Sequence, residues 1–215
     1  MREKFENRST WAIVGLALAI FVLAALLGGP GAAPDIHAIQ SLGSGRANNP
    51  LLTAFAIALT SIGGAPGTVC ILILALVLLA ATGRWRQATA LGTIVLSGRV
   101  AVELLKLAIS RPRPHFAAYP VKVASLSFPS GHAANSMMTF LTLALLLSPA
   151  GKRTAWVSLA IILSLIIGAT RPFLGVHWPT DVIGGWSFGI AWVVTMAHLA
   201  RAYGYWPASR EFRAI

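Results

Sequence analysis

Three short segments carry residue types that can do chemistry together. They are Lys106-Leu-Ala-Ile-Ser-Arg-Pro-Arg113-Pro114, Pro129-Ser130-Gly131-His132, and Arg171-Pro-Phe-Leu-Gly-Val-His177-Trp-Pro-Thr-Asp181. Lys106, Arg113 and Arg171 are cations with few carboxylates nearby in sequence. An oxyanion with several negative oxygens satisfies such a set, and the arginine fork matches phosphate geometry. Ser130 is a good helix N-cap, and the Gly131 and His132 amides behind it would point out of the helix end as an anion site. His177 and Asp181 are four residues apart. If a helix begins near Pro179, Asp181 lies in its first turn and reaches back to the imidazole. A carboxylate on one ring nitrogen fixes the tautomer and leaves the other free to attack. His132 is a second histidine, able to protonate a departing oxygen. No cluster of carboxylates, histidines or cysteines offers a metal site, and no cofactor is expected.

The elements that must position these residues are apolar helices. Of 215 residues 56% are hydrophobic and 11% charged, against about a quarter charged in soluble domains. The apolar residues fall in runs near the roughly 17–25 residues that cross a bilayer: 11–27, 66–82, 87–109, 133–148, 154–168 and 182–200. The third run is unusual in containing Arg99, Glu103 and Lys106. The expected fold is all-α: a polytopic membrane bundle of six transmembrane helices, forming one domain over 1–215 with the motif-bearing core at 99–181. The stretch 51–62 is too short to span. Gly63, Gly64 and Pro66 break it from the next run, so it reads as an interfacial or re-entrant helix.

A six-span count puts Arg2, Lys4, Arg8, Arg84, Arg86, Lys152, Arg153, Arg201, Arg210 and Arg213 on one side, ten of the seventeen basic residues. The positive-inside rule makes that side cytoplasmic, with both termini inside and the three segments on the outer, periplasmic face of the cytoplasmic membrane. The net charge of +11 is thereby explained without nucleic acid. Arg2, Lys4 and Arg8 before an apolar run could mimic a signal peptide, but the run is long for one and an uncleaved first helix is expected. Cys70 lies mid-span and reads as a small apolar residue.

The pattern of lysine, six residues and Arg-Pro, then Pro-Ser-Gly-His, then Arg, five residues, His, three residues and Asp resembles the type 2 phosphatidic acid phosphatase superfamily, in its PgpB-like branch of membrane lipid phosphatases. The match covers 106–181 closely. The resemblance implies that Lys106, Arg113, Ser130, Gly131, His132 and Arg171 bind phosphate, that His177 forms a phosphohistidine supported by Asp181, and that His132 is the general acid. It also implies a phosphorylated membrane lipid as substrate; the outer-face site and the better leaving group of a diphosphate rank undecaprenyl diphosphate ahead of phosphatidylglycerol phosphate, phosphatidic acid and a lipid A phosphate. The family usually has serine before the third-segment arginine; here Thr170 keeps the hydroxyl.

Each residue also has a structural reading. An arginine before proline at a helix end is ordinarily a snorkelling charge, and Ser-Gly-His is ordinarily a capped loop. Arg111 sits outside the motif register and reads equally as an accessory phosphate contact or an interfacial anchor. Arg99, Glu103 and Lys106 share one helix face. Glu103 is expected to neutralise Arg99, and the alternative is that the pair positions Lys106. His37, His115 and His198 read as interfacial, and Trp11, Trp85, Trp178, Trp186 and Trp206 as belt residues. Two other functions fit parts of the pattern. A phosphorylated-lipid binder or transporter needs the cations but not His132 or the His177–Asp181 pair. A vanadium-dependent haloperoxidase shares the constellation but is soluble. Oligomeric state is not encoded in these features.

Overall fold

A computed structural model describes residues 2–116, 120–123 and 125–206. Arg210 and Arg213 lie outside the described residues, as do the side chains of Arg2 and Lys4. The described chain folds into eight helices: α1 Arg2–Leu27, α2 Ala33–Ala47, α3 Pro50–Gly63, α4 Ala65–Ala81, α5 Trp85–Ile109, α6 Gly131–Leu147, α7 Arg153–Phe173 and α8 Pro179–Ala202. Helices α1, α5, α7 and α8 are long and apolar enough to cross a membrane. The pair α3 and α4, bent by 44° at its break, passes as one span, and α6 is a shorter apolar helix. At a rise of 1.5 Å per residue, 17 residues cover about 26 Å, close to the thickness of the hydrocarbon core. Each expected span thus corresponds to a helix, although two are short. The stretch expected as a single interfacial or re-entrant helix is α3, and a further short helix, α2, precedes it. With Asp35 as its acid and Arg46 in its last turn, α2 has too few apolar residues to announce itself by hydropathy.

Helix α6 is the centre of the bundle. Ala133 through Thr139 are all buried, and the helix packs against α5, α7 and α8. Burial on every side suits the small and flexible side chains found there. Helix α1 packs along α8. Large apolar residues such as Leu16, Leu23, Leu74, Val77, Leu104 and Ile162 point outward, as lipid-facing positions do. Cys70 is exposed on this surface.

Close approach of α8 to α6 depends on glycine. A Cβ at Gly185 would stand 2.7 Å from the Ser130 carbonyl oxygen, and one at Gly189 would stand 2.9 Å from Met137 Cβ. Small residues at a membrane helix crossing let backbones meet where no hydrophobic driving force acts between the helices. Here the crossing brings the start of α6 against the start of α8, where Ser130 N donates to the Asp181 carbonyl at 2.9 Å. Alternating helix directions then bring the ends of α1, α5 and α7 to the same end as the starts of α6 and α8. Arg8, Arg84, Arg86, Lys152, Arg153 and Arg201 stand at the other end.

Two expectations are corrected by packing. Glu103 acts on Arg99 only as a nearby charge and forms its ion pair elsewhere. It pairs with Lys106 at 3.0 Å, while Arg99 Nη1 donates to Thr68 Oγ1 at 2.9 Å. The i,i+3 step brings Glu103 to Lys106, and α4 supplies Arg99 with a hydroxyl. Trp178 and Trp206 are buried, at 3% and 6% exposure, and are not belt residues. Trp178 Nε1 donates to the Pro112 carbonyl at 2.9 Å, and Trp186 Nε1 to the Ser164 carbonyl at 2.9 Å. Trp11 and Trp85 are exposed, as belt residues are, and His198 sits edge-on to Trp11 at 5.5 Å.

Candidate active site

His177 lies in the short turn joining α7 to α8, and Asp181 in the first turn of α8. Pro179 starts that helix with a pre-set φ and no lost donor. Asp181 Oδ2 accepts the Trp178 amide at 2.9 Å, so the carboxylate that closes the helix end is the one that faces the imidazole. His177 Nδ1 stands 3.3 Å from the same oxygen. On the other side of the ring, Nε2 is 3.0 Å from Arg113 Nη1. A guanidinium only donates, so Nε2 is the unprotonated nitrogen and Nδ1 carries the hydrogen towards Asp181. The ring therefore presents a lone pair to the cationic side of the site. Its pKa lies well below 6.5, first because the ring is buried, then because Arg113, Arg171 and Lys106 repel a further positive charge; a hydrogen bond with the Ser127 backbone opposes this.

The three cations converge. Lys106 Nζ, on the last turn of α5, is buried, donates to Ser125 Oγ at 3.1 Å and stands 3.3 Å from where a Cβ at Gly131 would be. Arg113 is held by the Ser125 carbonyl at 2.7 Å and by the carbonyl of Val176, next to the histidine. Arg171 is 3% exposed, and its Nη1 donates to Thr60 Oγ1 of α3 at 2.9 Å. Its Nε has no hydrogen-bond partner among the described residues. That buried donor is available to an anion. His132, at the start of α6, lies within electrostatic reach of Lys106, Arg113, Arg171 and His177. Its Nε2 stands 3.1 Å from where a Cβ at Gly64 would be, so the break between α3 and α4 also makes room for this ring. Among the described residues, no group of three or more His, Cys, Asp or Glu side chains could hold a metal.

Ser130 occupies the N-cap position of α6, as expected, but makes no side-chain cap bond. Its hydroxyl is buried and has no partner among the described residues, at the same end as Arg171 Nε. Thr170 spends its hydroxyl on the Ile167 carbonyl of its own helix at 2.6 Å.

Arg111 takes neither of the roles that the sequence suggested. It is buried, its Nη1 donates to Asp181 Oδ1 at 2.9 Å and Thr180 Oγ1 at 3.1 Å, and its Nη2 donates to the carbonyls of Ala24 and Ala25 at 2.9 and 2.7 Å. Its guanidinium lies 4.3 Å from the Phe128 ring centre. It ties the carboxylate behind the histidine to the end of α1. Ser127, which donates to Asp181 Oδ2, was also missed, as were Thr60 and Asp35. Asp35 is buried and accepts from the Gly29 amide at 2.7 Å and from Thr180. None of these lies in a motif. The duplicated Arg-Pro at 111–114 was the one sequence signal that a second arginine belonged here.

Comparison with known proteins gives the family and the fold. A profile of the PAP2 superfamily matches residues 87–205. Phosphatidylglycerophosphatase B of Bacillus subtilis is 36% identical over 98 residues, 43% of this chain and 47% of that protein. Lipid A 1-phosphatase of Rhizobium johnstonii is 40% identical over 117 residues, 50% of this chain and 45% of that protein. Undecaprenyl-diphosphatase of Sulfolobus acidocaldarius is 36% identical over 109 residues, 47% of this chain and 50% of that protein. The chain spans about half the length of the curated relatives it matches. In fold it resembles the crystal structure of a transmembrane PAP2 type phosphatidylglycerolphosphate phosphatase from Bacillus subtilis, with a TM-score of 0.71 at 24% identity over 89% of this chain and 95% of that one. LpxE of Aquifex aeolicus gives a TM-score of 0.62 at 24% identity over 77% of this chain and 96% of that one. With three motifs converging at one end of a multi-pass helical bundle and a matching profile over more than half its length, the chain belongs to the PAP2 superfamily.

Proposed function

We propose that the chain is a metal-independent phosphatase of membrane lipid phosphates or diphosphates, acting through a phosphohistidine. The observation that carries this reading is the His177 ring, held between a carboxylate on Nδ1 and a guanidinium facing Nε2. A phosphoryl group seated on Lys106, Arg113, Arg171 and the first amides of α6 meets that nitrogen. Nε2 attacks phosphorus, the P–N bond forms and the bond to the lipid oxygen breaks. The negative charge of the bound phosphate offsets Lys106, Arg113 and Arg171 and lets His132 carry the proton, which it gives to that oxygen, so the lipid leaves as an alcohol or, from a diphosphate, as a monophosphate. Asp181 holds the imidazole hydrogen throughout. Water then attacks the phosphohistidine, His132 takes its proton, the P–N bond breaks and inorganic phosphate leaves. The cations supply the charge stabilisation that a metal gives in other phosphatases.

The orientation follows from charge. The end opposite the site carries Arg8, Arg84, Arg86, Lys152, Arg153 and Arg201, so that end is cytoplasmic and the site opens on the outer, periplasmic face of the cytoplasmic membrane. Undecaprenyl diphosphate is ranked first as substrate, because it is released on that face and has the better leaving group. Phosphatidylglycerol phosphate, phosphatidic acid and a lipid A phosphate follow. Relatives named for three of these lipids leave the ranking to experiment. The test is phosphate release from a panel of these lipids by purified protein in detergent, with and without excess chelator. Release from at least one lipid, undiminished by chelator, is expected. Loss of activity that magnesium or zinc restores overturns the metal-independent mechanism, and no release from any lipid overturns the phosphatase reading.

A further inference from the structure

Arg46, in the last turn of α2, is a cation that the phosphate clamp leaves out. Its Nη1 donates to the Phe173 carbonyl at 2.9 Å. The guanidinium lies against the turn at Gly175, where a Cβ would meet Nη1 at 2.7 Å. Gly175 also has φ +75°, so the turn and the close approach both call for glycine. A guanidinium has five N–H donors, and among the described residues Arg46 forms no ion pair.

This side chain lines a cleft of about 440 Å³, with Ile39, Gln40, Gly43, Phe116 and Gly175 among its other walls. Ile39, Gly43 and Arg46 follow one face of α2, and the glycine hollows that face. The opposite walls continue the segments that carry the clamp. Phe116 stands three residues after Arg113, and Gly175 two before His177. Consecutive Cα atoms are 3.8 Å apart, so Gly175 Cα lies within about 7.6 Å of His177 Cα. Among the described residues, no carboxylate lines the cleft. A cation, an amide and an aromatic ring line a hollow whose wall at Gly175 is two residues from His177 along the chain.

We propose that this cleft is a second anion subsite, in which Arg46 binds a second phosphate of the same lipid headgroup and so favours lipids bearing two phosphates over lipids bearing one. This rests on the phosphatase reading above. The experiment compares kcat/KM for two-phosphate lipids (undecaprenyl diphosphate and phosphatidylglycerol phosphate) with that for phosphatidic acid, in the native protein, Arg46→Gln and Gly43→Leu. A charge-assisted hydrogen bond is of the size that changes affinity about ten- to hundredfold. Arg46→Gln is therefore expected to lower kcat/KM by about that factor for at least one two-phosphate lipid, with phosphatidic acid changed less than threefold. Gly43→Leu adds bulk at a residue that lines the cleft, where an added Cβ meets nothing within 4 Å, and is expected to reproduce the selective loss.

If Arg46 only pins the turn, Arg46→Gln lowers all three substrates together and Gly43→Leu lowers none; that result overturns the subsite. So does an unchanged ratio in both variants, which leaves the phosphatase reading intact. Turnover of no lipid by the native protein removes the phosphatase reading first and the subsite with it. Inorganic phosphate distinguishes a free anion from a headgroup. At concentrations that spare phosphatidic acid turnover it is expected to leave the native ratio unchanged, and a ratio that collapses there assigns the cleft to free phosphate.

Discussion

Arg111 offers the sharpest test of how the nucleophile is held. Asp181 is fully buried, and the Arg111 guanidinium is its counter-ion at 2.9 Å. Replacing Arg111 with glutamine leaves the carboxylate with Ser127, the Trp178 amide and the imidazole, and strips two carbonyl bonds from the end of α1. Removing one partner of a buried pair costs roughly 3–5 kcal/mol of stability. The part felt at the imidazole is smaller, of the order of one charge-assisted hydrogen bond, about 1.5–3 kcal/mol. At 1.36 kcal/mol per decade, that is a loss of about ten- to hundredfold in kcat/KM.

The sign of the pH effect follows from the same pair. In the proposed mechanism His177 attacks as the neutral ring, and its pKa is held well below 6.5 by burial and by Arg113, Arg171 and Lys106. An Asp181 without its arginine favours the imidazolium, so the acid limb of the rate profile moves to higher pH. The assay is kcat/KM from pH 4.5 to 8 on detergent-purified native, Arg111→Gln and Arg111→Lys proteins, with thermal unfolding followed in parallel. Arg111→Lys keeps the charge without the fork and is expected to fall between the other two. A folded Arg111→Gln protein with native kcat/KM and an unmoved acid limb would refute the argument that this arginine sets the state of Asp181.

Four further outcomes are expected. His177→Ala abolishes turnover, and rapid quench of the native protein with labelled substrate traps label on His177; label on another residue rejects the assignment. His132→Ala lowers kcat by about 10²–10⁴ for a monoester, with a smaller loss for a diphosphate, whose leaving group needs the proton less; equal losses for both argue against the acid role. Gly64→Ala pushes a methyl to 3.1 Å from His132 Nε2 and is expected to lower kcat with little change in melting temperature; unaltered kinetics mean that His132 is not confined there. Finally, the unfolded chain binds a proton on His177 near pH 6.5 that the native state refuses, so this residue's contribution to stability is full above pH 6.5 and is lost as pH falls below it. His177→Gln is expected to flatten the melting-temperature slope between pH 7.5 and 5, and an unchanged slope contradicts the depressed pKa.

What the sequence determined by itself was local or periodic. Apolar runs of span length set the helices at 85–109, 153–173 and 179–202, because a bilayer leaves a backbone no option but to satisfy its own hydrogen bonds. The Pro179 start and the four-residue step from His177 to Asp181 made their contact legible, since one helical turn closes it. Tertiary structure alone decided the rest. Arg111 and Asp181 are 70 residues apart, and Arg171 and Thr60 are 111 apart, so no spacing rule links them. The pairing of Glu103 with Lys106 rather than Arg99 turned on Thr68 of a different helix being within reach. Helix α2 was invisible because it is held largely by polar contacts, among them Asp35 to Gly29 and Thr180 and Arg46 to Phe173, and has too few apolar residues for hydropathy to read. Periodicity reports what a helix does with its solvent; the partners of a buried charge are set by which helices cross, and that is a property of the packed bundle.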